Sequence, residues 1–225
     1  MVLGRREFYD NRAAALPAVD REGMLRARRA AALAGLAPGM SVLDLGCGRA
    51  VLRDELRAEY REIEYFGADI SPAMLRLVEG GDDRHFQVLD ILAGLPHAEG
   101  SFDRVFALEI LEHLEYPLAC LREIRRVLTG PGLAVVSVPN PYCWNEIVSN
   151  LRGRREGEGH LYSWTPQTMT SLAEVAGFAV RRQRGTCARI PLSRRLLGGR
   201  YRIVATNALL LARSLVYVLE PFPSP

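Results

Sequence analysis

From about residue 40 to residue 185, short apolar runs alternate with segments of helical spacing, and this alternation restricts the possible folds more than any other feature. "SVLDLG" is an apolar run ending in glycine, the pattern of a strand buried on both faces. "AVLRDELRAEY" follows with helical spacing, and "IEYFGAD" reads as a second strand. In "SPAMLRLVEG", Ser71 stands at an N-cap and Pro72 at the first helical position. "HFQVLDI" and "FDRVFAL" are the third and fourth strands, and "LACLREIRRVL" is an amphipathic helix stopped by "TGPG". "GLAVVSVP" is a fifth strand, "TPQTMTSLAEVAG" a capped helix and "FAVRRQRG" a sixth strand. Such repetition predicts an α/β fold: a doubly wound, mostly parallel sheet with helices on both faces. Ligands of that fold bind at the carboxyl ends of the strands. Here those ends carry Asp44, Asp69, Asp90 and Glu109. Four acidic residues on one rim are poor core material, so the rim is the expected site.

Two segments lie outside the alternation, which divides the chain into three parts. Residues 1–38 read as an arginine-rich helical flank or lid, residues 39–185 as the core, and residues 186–225 as an extension. The extension opens with a basic loop and ends in "ALLLARSLVYVL", read as an apolar helix too short and interrupted for a membrane span. Its excess of apolar residues predicts packing on the domain, on a second subunit as a homodimer, or against a lipid-like acceptor. The 225 residues are ample for one large domain, and 48% hydrophobic with 24% charged residues is ordinary for a globular chain. A net charge of +3 argues against a nucleic-acid partner. Cys47, Cys120, Cys143 and Cys187 show no metal or disulfide spacing, and the N-terminus lacks the apolar core of a signal peptide. A cytoplasmic location is the expectation.

"VLDLGCGRA" joins the first strand to the first helix of the alternation. Gly46 and Gly48 let the backbone turn tightly beside a ligand, and the helix start offers unpaired N–H groups. A dinucleotide fingerprint needs a third glycine where this chain has Val51. Asp69, at the second strand's tip, suits ribose hydroxyls. A ribose-bearing cofactor without a pyrophosphate fits better than a nicotinamide dinucleotide.

With these motifs in this order, the chain resembles the class I S-adenosylmethionine-dependent methyltransferases over roughly residues 38 to 180. "VLDLGCGRA", "GADIS", "HFQVLDI" and "SFDRVFALEILEHLEYP" look like the family's successive motifs, with Ala50 where glycine is common. The resemblance implies a Rossmann-like sheet, usually closed by an antiparallel seventh strand, with S-adenosyl-L-methionine as cofactor and S-adenosyl-L-homocysteine as product. It implies that Asp44, Gly46, Cys47 and Gly48 form the loop around the methionine moiety. Asp69 would bind the ribose, with Ile70 packing on adenine. Asp90 would accept from the adenine amino group beside Ile91. Ala107, Leu108 and Glu109 would line the sulfonium end, and Tyr9 would cover the cofactor.

The run "LEILEHLEYP" places Glu109, Glu112 and His113 at helical spacing i, i+3 and i+4, with His160 later in "GHLYSWTP". His113 and His160 are expected as catalytic base or orienting groups for an acceptor hydroxyl. The order also resembles the small-RNA 2′-O-methyltransferases, in which matching residues hold a divalent ion. That makes Glu109, Glu112, His113 and His160 an alternative metal set, though a metal-free site is preferred. The expected reaction is O-methylation of a small-molecule acceptor: a sugar, a quinone-like ring or another secondary metabolite. The alternatives are N- or C-methylation, a non-catalytic S-adenosylmethionine-binding partner, and, less favoured, a nicotinamide-dependent oxidoreductase or epimerase.

Overall fold

The computed structural model describes residues 5–15, 20–60, 62–78, 85–154, 158–191 and 201–223. Its frame is a seven-stranded sheet. In chain order the strands of the alternation are β1 (Ser41–Leu45), β2 (Glu64–Asp69), β3 (Phe86–Val88), β4 (Phe102–Leu108), β5 (Leu128–Pro139) and β6 (Phe178–Gly185). The hairpin strands β7 (Cys187–Pro191) and β8 (Tyr201–Ala205) form a separate pair, and β9 (Ser214–Pro221) returns to the main sheet. The spatial order is β3-β2-β1-β4-β5-β9-β6. β1 to β5 pair in parallel, whereas β9 runs antiparallel to both neighbours. The helices are α1 (Arg5–Ala13), α2 (Arg21–Leu33), α3 (Val51–Glu59), α4 (Pro72–Leu75), α5 (Pro117–Val127), α6 (Trp144–Leu151) and α7 (Pro166–Val175).

The core divides by strand alternation. Leu43, Leu45, Val105, Ala107, Ala134 and Val136 project to the face packed by α5 and α7. Their neighbours Val42, Phe106 and Val135 project to the opposite face, against α2 and α3. The small residues Ala27, Ala30 and Ala31 let α2 lie close to the sheet, and Asp20 caps it by accepting from the Gly23 N–H at 2.8 Å.

The tail departs from expectation. Of the expected helix over 208–219, residues 214–219 belong to β9, which lies between β5 and β6. Six consecutive residues, Ser214–Leu219, are buried, because a strand covered on both faces needs no polar alternation. That continuous run has no period to distinguish it from a buried helix. β9 also supplies the antiparallel seventh strand that the family resemblance implies. The proposed flank and extension therefore both enter the core, through α2 and β9. The basic loop at 192–200 lies outside the described residues. Among the described residues no helix is long and apolar enough to cross a membrane.

Candidate active site

At the carboxyl ends of β1, β2 and β4 the chain encloses a cavity of about 530 Å³. The β1–α3 loop forms its floor. Gly46, Gly48 and Ala50 all take left-handed backbone conformations, with φ of 69°, 54° and 61°. A side chain at Gly46 would strike Ile110, whereas one at Gly48 would meet nothing within 4 Å. Gly48 therefore opens onto space that a ligand can occupy. The loop is tied to the tip of β2: the Gly46 and Cys47 N–H groups donate to the Ala68 carbonyl at 2.7 and 3.0 Å.

Asp69 organises this end. Its carboxylate accepts from the Gly48 N–H at 2.9 Å and the Ser71 N–H at 2.8 Å. Burial raises its pKa, while these N–H groups favour the charged form. Ile70, Asp90 and Ile91 line the same end. The Asp90 side chain also accepts from the Leu92 N–H at 3.0 Å, which starts a short 3₁₀ turn over Ile91–Ala93. From above, Asp10 of α1 accepts from the Ser71 hydroxyl at 2.6 Å and the Ala73 N–H at 3.2 Å, mooring α1 to α4. The Ser71 hydroxyl holds the Asp10 pKa below its ordinary value.

The far end is built where β4 stops. Leu108 and Glu109 both line the cavity, and Glu109 is left-handed at φ 58°. Its carboxylate accepts from the Ser137 hydroxyl at 2.9 Å and lies 3.6 Å from the Arg26 guanidinium. Glu112 and His113 follow on a 3₁₀ turn, Leu111–His113, so the three residues do not share one α-helical face. The Glu112 carbonyl accepts from the Leu161 N–H at 2.7 Å and draws the segment carrying His160 across the turn. The rings of His113 and His160 are consequently 4.7 Å apart, and the Tyr9 ring meets His113 edge-on at 5.6 Å. His113 Nδ1 is 3.3 Å from the Gly159 carbonyl, and His160 Nε2 is 3.8 Å from Glu158.

Glu112 is fully buried, and neither carboxylate oxygen has a hydrogen-bond partner among the described residues. Burial, reinforced by the Glu109 carboxylate, pushes its pKa well above the usual range. One ligating atom from each of Glu112, His113 and His160 lies within 4.8 Å of the others. Glu109, the fourth residue of the alternative metal set, does not complete this group.

Eleven of the sequence-derived positions line the cavity: Tyr9, Gly46, Gly48, Asp69, Ile70, Asp90, Ile91, Leu108, Glu109, His113 and His160. Asp44, Cys47, Ala107 and the buried Glu112 do not. Asp44 is buried and accepts from the Tyr65 hydroxyl at 2.6 Å, with its pKa raised by burial to about 7. Cys47 is buried and burial raises its thiol pKa, as befits a small filler beneath the loop. Ala107 is fully enclosed in the sheet. Sequence reasoning missed a charged cluster at the cavity's far wall. Glu22 of α2 receives Arg189 of β7, and Arg213 donates to Glu146 of α6 at 2.8 Å. These partners are 167 and 67 positions apart, so no local pattern announces them.

A family model described as a methyltransferase domain matches residues 18–183, most of the chain. The chain belongs to the class I S-adenosylmethionine-dependent methyltransferases. As a methyltransferase chain it is similar to the ubiquinone biosynthesis O-methyltransferase of Nitrosococcus oceani. They are 32% identical over 105 residues, covering 45% of this chain and 44% of that protein. It is also 30% identical over 109 residues to the malonyl-[acyl-carrier protein] O-methyltransferase of Legionella pneumophila, covering 47% and 38%. The chain thus spans less than half the length of these two relatives. The methyltransferase solved with the Haloferax volcanii Trm112 methyltransferase activator aligns over 99% of both chains, with a TM-score of 0.76 at 22% identity. A methyltransferase structure from Aquifex aeolicus aligns over 93% of this chain and 97% of its own, with a TM-score of 0.64 at 16% identity. At these identities the two structures establish the fold that this methyltransferase shares.

Proposed function

We propose that this methyltransferase transfers a methyl group from S-adenosylmethionine to an oxygen of a small-molecule acceptor. The observation that carries the reading is continuity: one cavity holds the Gly48–Asp69 rim and the His113–His160 pair. The residues present fit the cofactor. Gly48 leaves open the space a side chain would fill, and Asp69 presents a carboxylate to ribose hydroxyls. Asp90 and Ile91 suit the adenine, one as acceptor and the other as apolar wall. Glu109 supplies negative charge toward a sulfonium without becoming a nucleophile. When bound, S-adenosylmethionine supplies an electrophilic methyl group. The protein's share is to orient the acceptor in line, exclude water and receive the hydroxyl proton at an imidazole of His113 or His160. The two O-methyltransferase relatives support oxygen as the acceptor atom.

Calorimetry with S-adenosylhomocysteine tests the cofactor half. Asp69→Asn, which keeps the side chain's size but turns an NH2 donor toward either the Gly48 or the Ser71 N–H, should weaken binding at least ten-fold; unchanged affinity would sink this assignment. Labelled methyl transfer to a panel of hydroxylated sugars and quinols tests the chemistry, and transfer confined to amines would replace oxygen with nitrogen.

A second reading is favoured by Glu112, whose buried oxygens lack a partner among the described residues. Glu112, His113 and His160 would hold a divalent cation, supplying Lewis acidity toward an acceptor oxygen. Thermal denaturation with manganese or zinc separates the readings. A cation that stabilises the wild type but not Glu112→Gln supports the second reading. No shift with any divalent ion, together with full activity after chelation, supports the metal-free site.

A further inference from the structure

α6 carries Trp144, Ile147, Val148 and Leu151 at i, i+3, i+4 and i+7, one apolar stripe of an amphipathic helix. A helix packed in a domain normally buries such a stripe. α6 has no buried residue: Trp144 is 63% exposed and Leu151 83%. The turn before β9 adds Leu209, Leu210 and Leu211, three consecutive exposed leucines. The Trp144 N–H donates to the Leu210 carbonyl at 3.0 Å, which fixes this turn against the first turn of α6. The exposed apolar groups therefore form one surface rather than isolated residues.

The charge around this surface has one dominant sign. Among the described residues, a shallow concavity beneath Trp144 and Val148 is lined by Arg152, Arg154, Arg189 and Arg213 against Glu146, with Glu22 beside Arg189. Arg152 and Arg154 are exposed at the C-terminal end of α6. Glu146, Arg189 and Arg213 line the active-site cavity as well, so the surface adjoins the mouth through which an acceptor enters.

We propose that α6 and the 209–211 turn dock this protein onto an anionic phospholipid surface. Tryptophan and leucine would enter the boundary between headgroups and acyl chains, where an amphipathic helix lies in the plane of the interface. Arginine would meet the phosphates. Arg189 and Arg213 already pair with Glu22 and Glu146, so the exposed Arg152 and Arg154 decide the partner: a neutral apolar one would offer them no counter-charge, and a second copy would bring two such arginine pairs together. The match of apolar area with basic rim selects the anionic bilayer. Docking also orients the cavity mouth toward the membrane, so acceptors dissolved in lipid reach it without crossing water. The inference stands independently of methyl transfer, since binding is read without turnover.

Vesicle flotation tests it, using phosphatidylcholine alone and phosphatidylcholine mixed with phosphatidylglycerol. The protein should float with the mixed vesicles, remain behind with phosphatidylcholine alone, and release as salt rises. Arg152→Gln/Arg154→Gln should lower partitioning by roughly thirty-fold, since each basic residue near such a surface contributes about a factor of five. Trp144→Ser/Leu210→Ser/Leu211→Ser should abolish flotation while S-adenosylhomocysteine affinity is retained. In the Trp164→Phe protein, Trp144 is the sole tryptophan, and its emission should shift to the blue on mixed vesicles. The last measurement needs no surface variant to fold. Absence of flotation, equal partitioning to both vesicle types, or an unmoved Trp144 emission would each overturn the proposal. So would a dimer in light scattering that the triple variant dissociates, because the patch would then be covered by a second copy.

Discussion

Burial raises the pKa of three carboxyl groups, Asp44, Asp69 and Glu112, and Asp44 and Glu112 lie outside the cavity lining. Asp44 holds its proton up to about pH 7, and Glu112 is raised well above the usual range, both chiefly through burial. In an unfolded chain each would release its proton at about pH 4. Above that pH the folded state binds protons the unfolded state has lost, so stability falls as pH rises through the window. For Asp44 this window closes at about 7. Asp44→Asn keeps an acceptor for the Tyr65 hydroxyl and removes the titration. Urea unfolding from acid to neutral pH should show the wild type losing stability relative to this variant; parallel curves would contradict the burial account. Glu112→Gln should behave alike in metal-free buffer. The sign of its effect would reverse in the presence of a cation that Glu112 holds.

At the level of elements, β9 has the largest consequence. It hydrogen-bonds to β5 on one side and β6 on the other, and Val216–Leu219 are almost wholly buried. Proline at Val218 would remove a ladder donor from an interior strand, costing about 3 kcal/mol or more. Val218→Pro should therefore lower the urea midpoint sharply or yield aggregated protein. Deleting residues 207–225 should do the same, rather than merely dissociating an oligomer. A folded, cofactor-binding truncation would show that the sheet closes without its last strand. α1 is a different case, held over the cavity partly by Asp10 at the start of α4. Asp10→Ala should leave the urea midpoint nearly unchanged, as loss of one solvent-accessible capping contact does. It should increase proteolysis at α1, and unchanged protease sensitivity would show that other contacts moor the helix.

For the whole molecule, cofactor and fold are thermodynamically linked, because the cavity draws on α1, the strand tips, α6 and the chain entering β9. The unfolded chain has no such site. S-adenosylhomocysteine at a hundred times its dissociation constant should stabilise the protein by about 2.7 kcal/mol. For a chain of this length that corresponds to a rise in melting temperature of roughly 5–10 °C. Asp69→Asn, at ten-fold weaker affinity, should lose about half of this rise at the same ligand concentration, and more if binding is weaker still. An equal rise in the variant would place the ligand elsewhere.

The parallel sheet, its ligand rim and the glycine loop were legible because each depends on neighbouring residues. Buried strands read as continuous apolar runs, Ser71 and Pro72 mark a helix start, and Gly46 and Gly48 mark a tight turn. Asp69, Asp90 and Glu109 stand at strand ends whatever the later packing, so their places on the rim followed from the alternation. Three matters required the tertiary structure. β9 has the apolar continuity of a buried helix, and only the open position between β5 and β6 makes it a strand. Glu112 has the same sequence neighbours as a solvated residue would, yet the segment around His160 encloses it and leaves its oxygens without a described partner. The Glu22, Arg189, Arg213 and Glu146 cluster joins distant parts of the chain at one wall of the cavity. Local chemistry determined where the glycine loop and the acidic strand tips would lie. Long-range packing decided the far wall of the cavity, because burial and pairing between distant residues leave no period in the sequence.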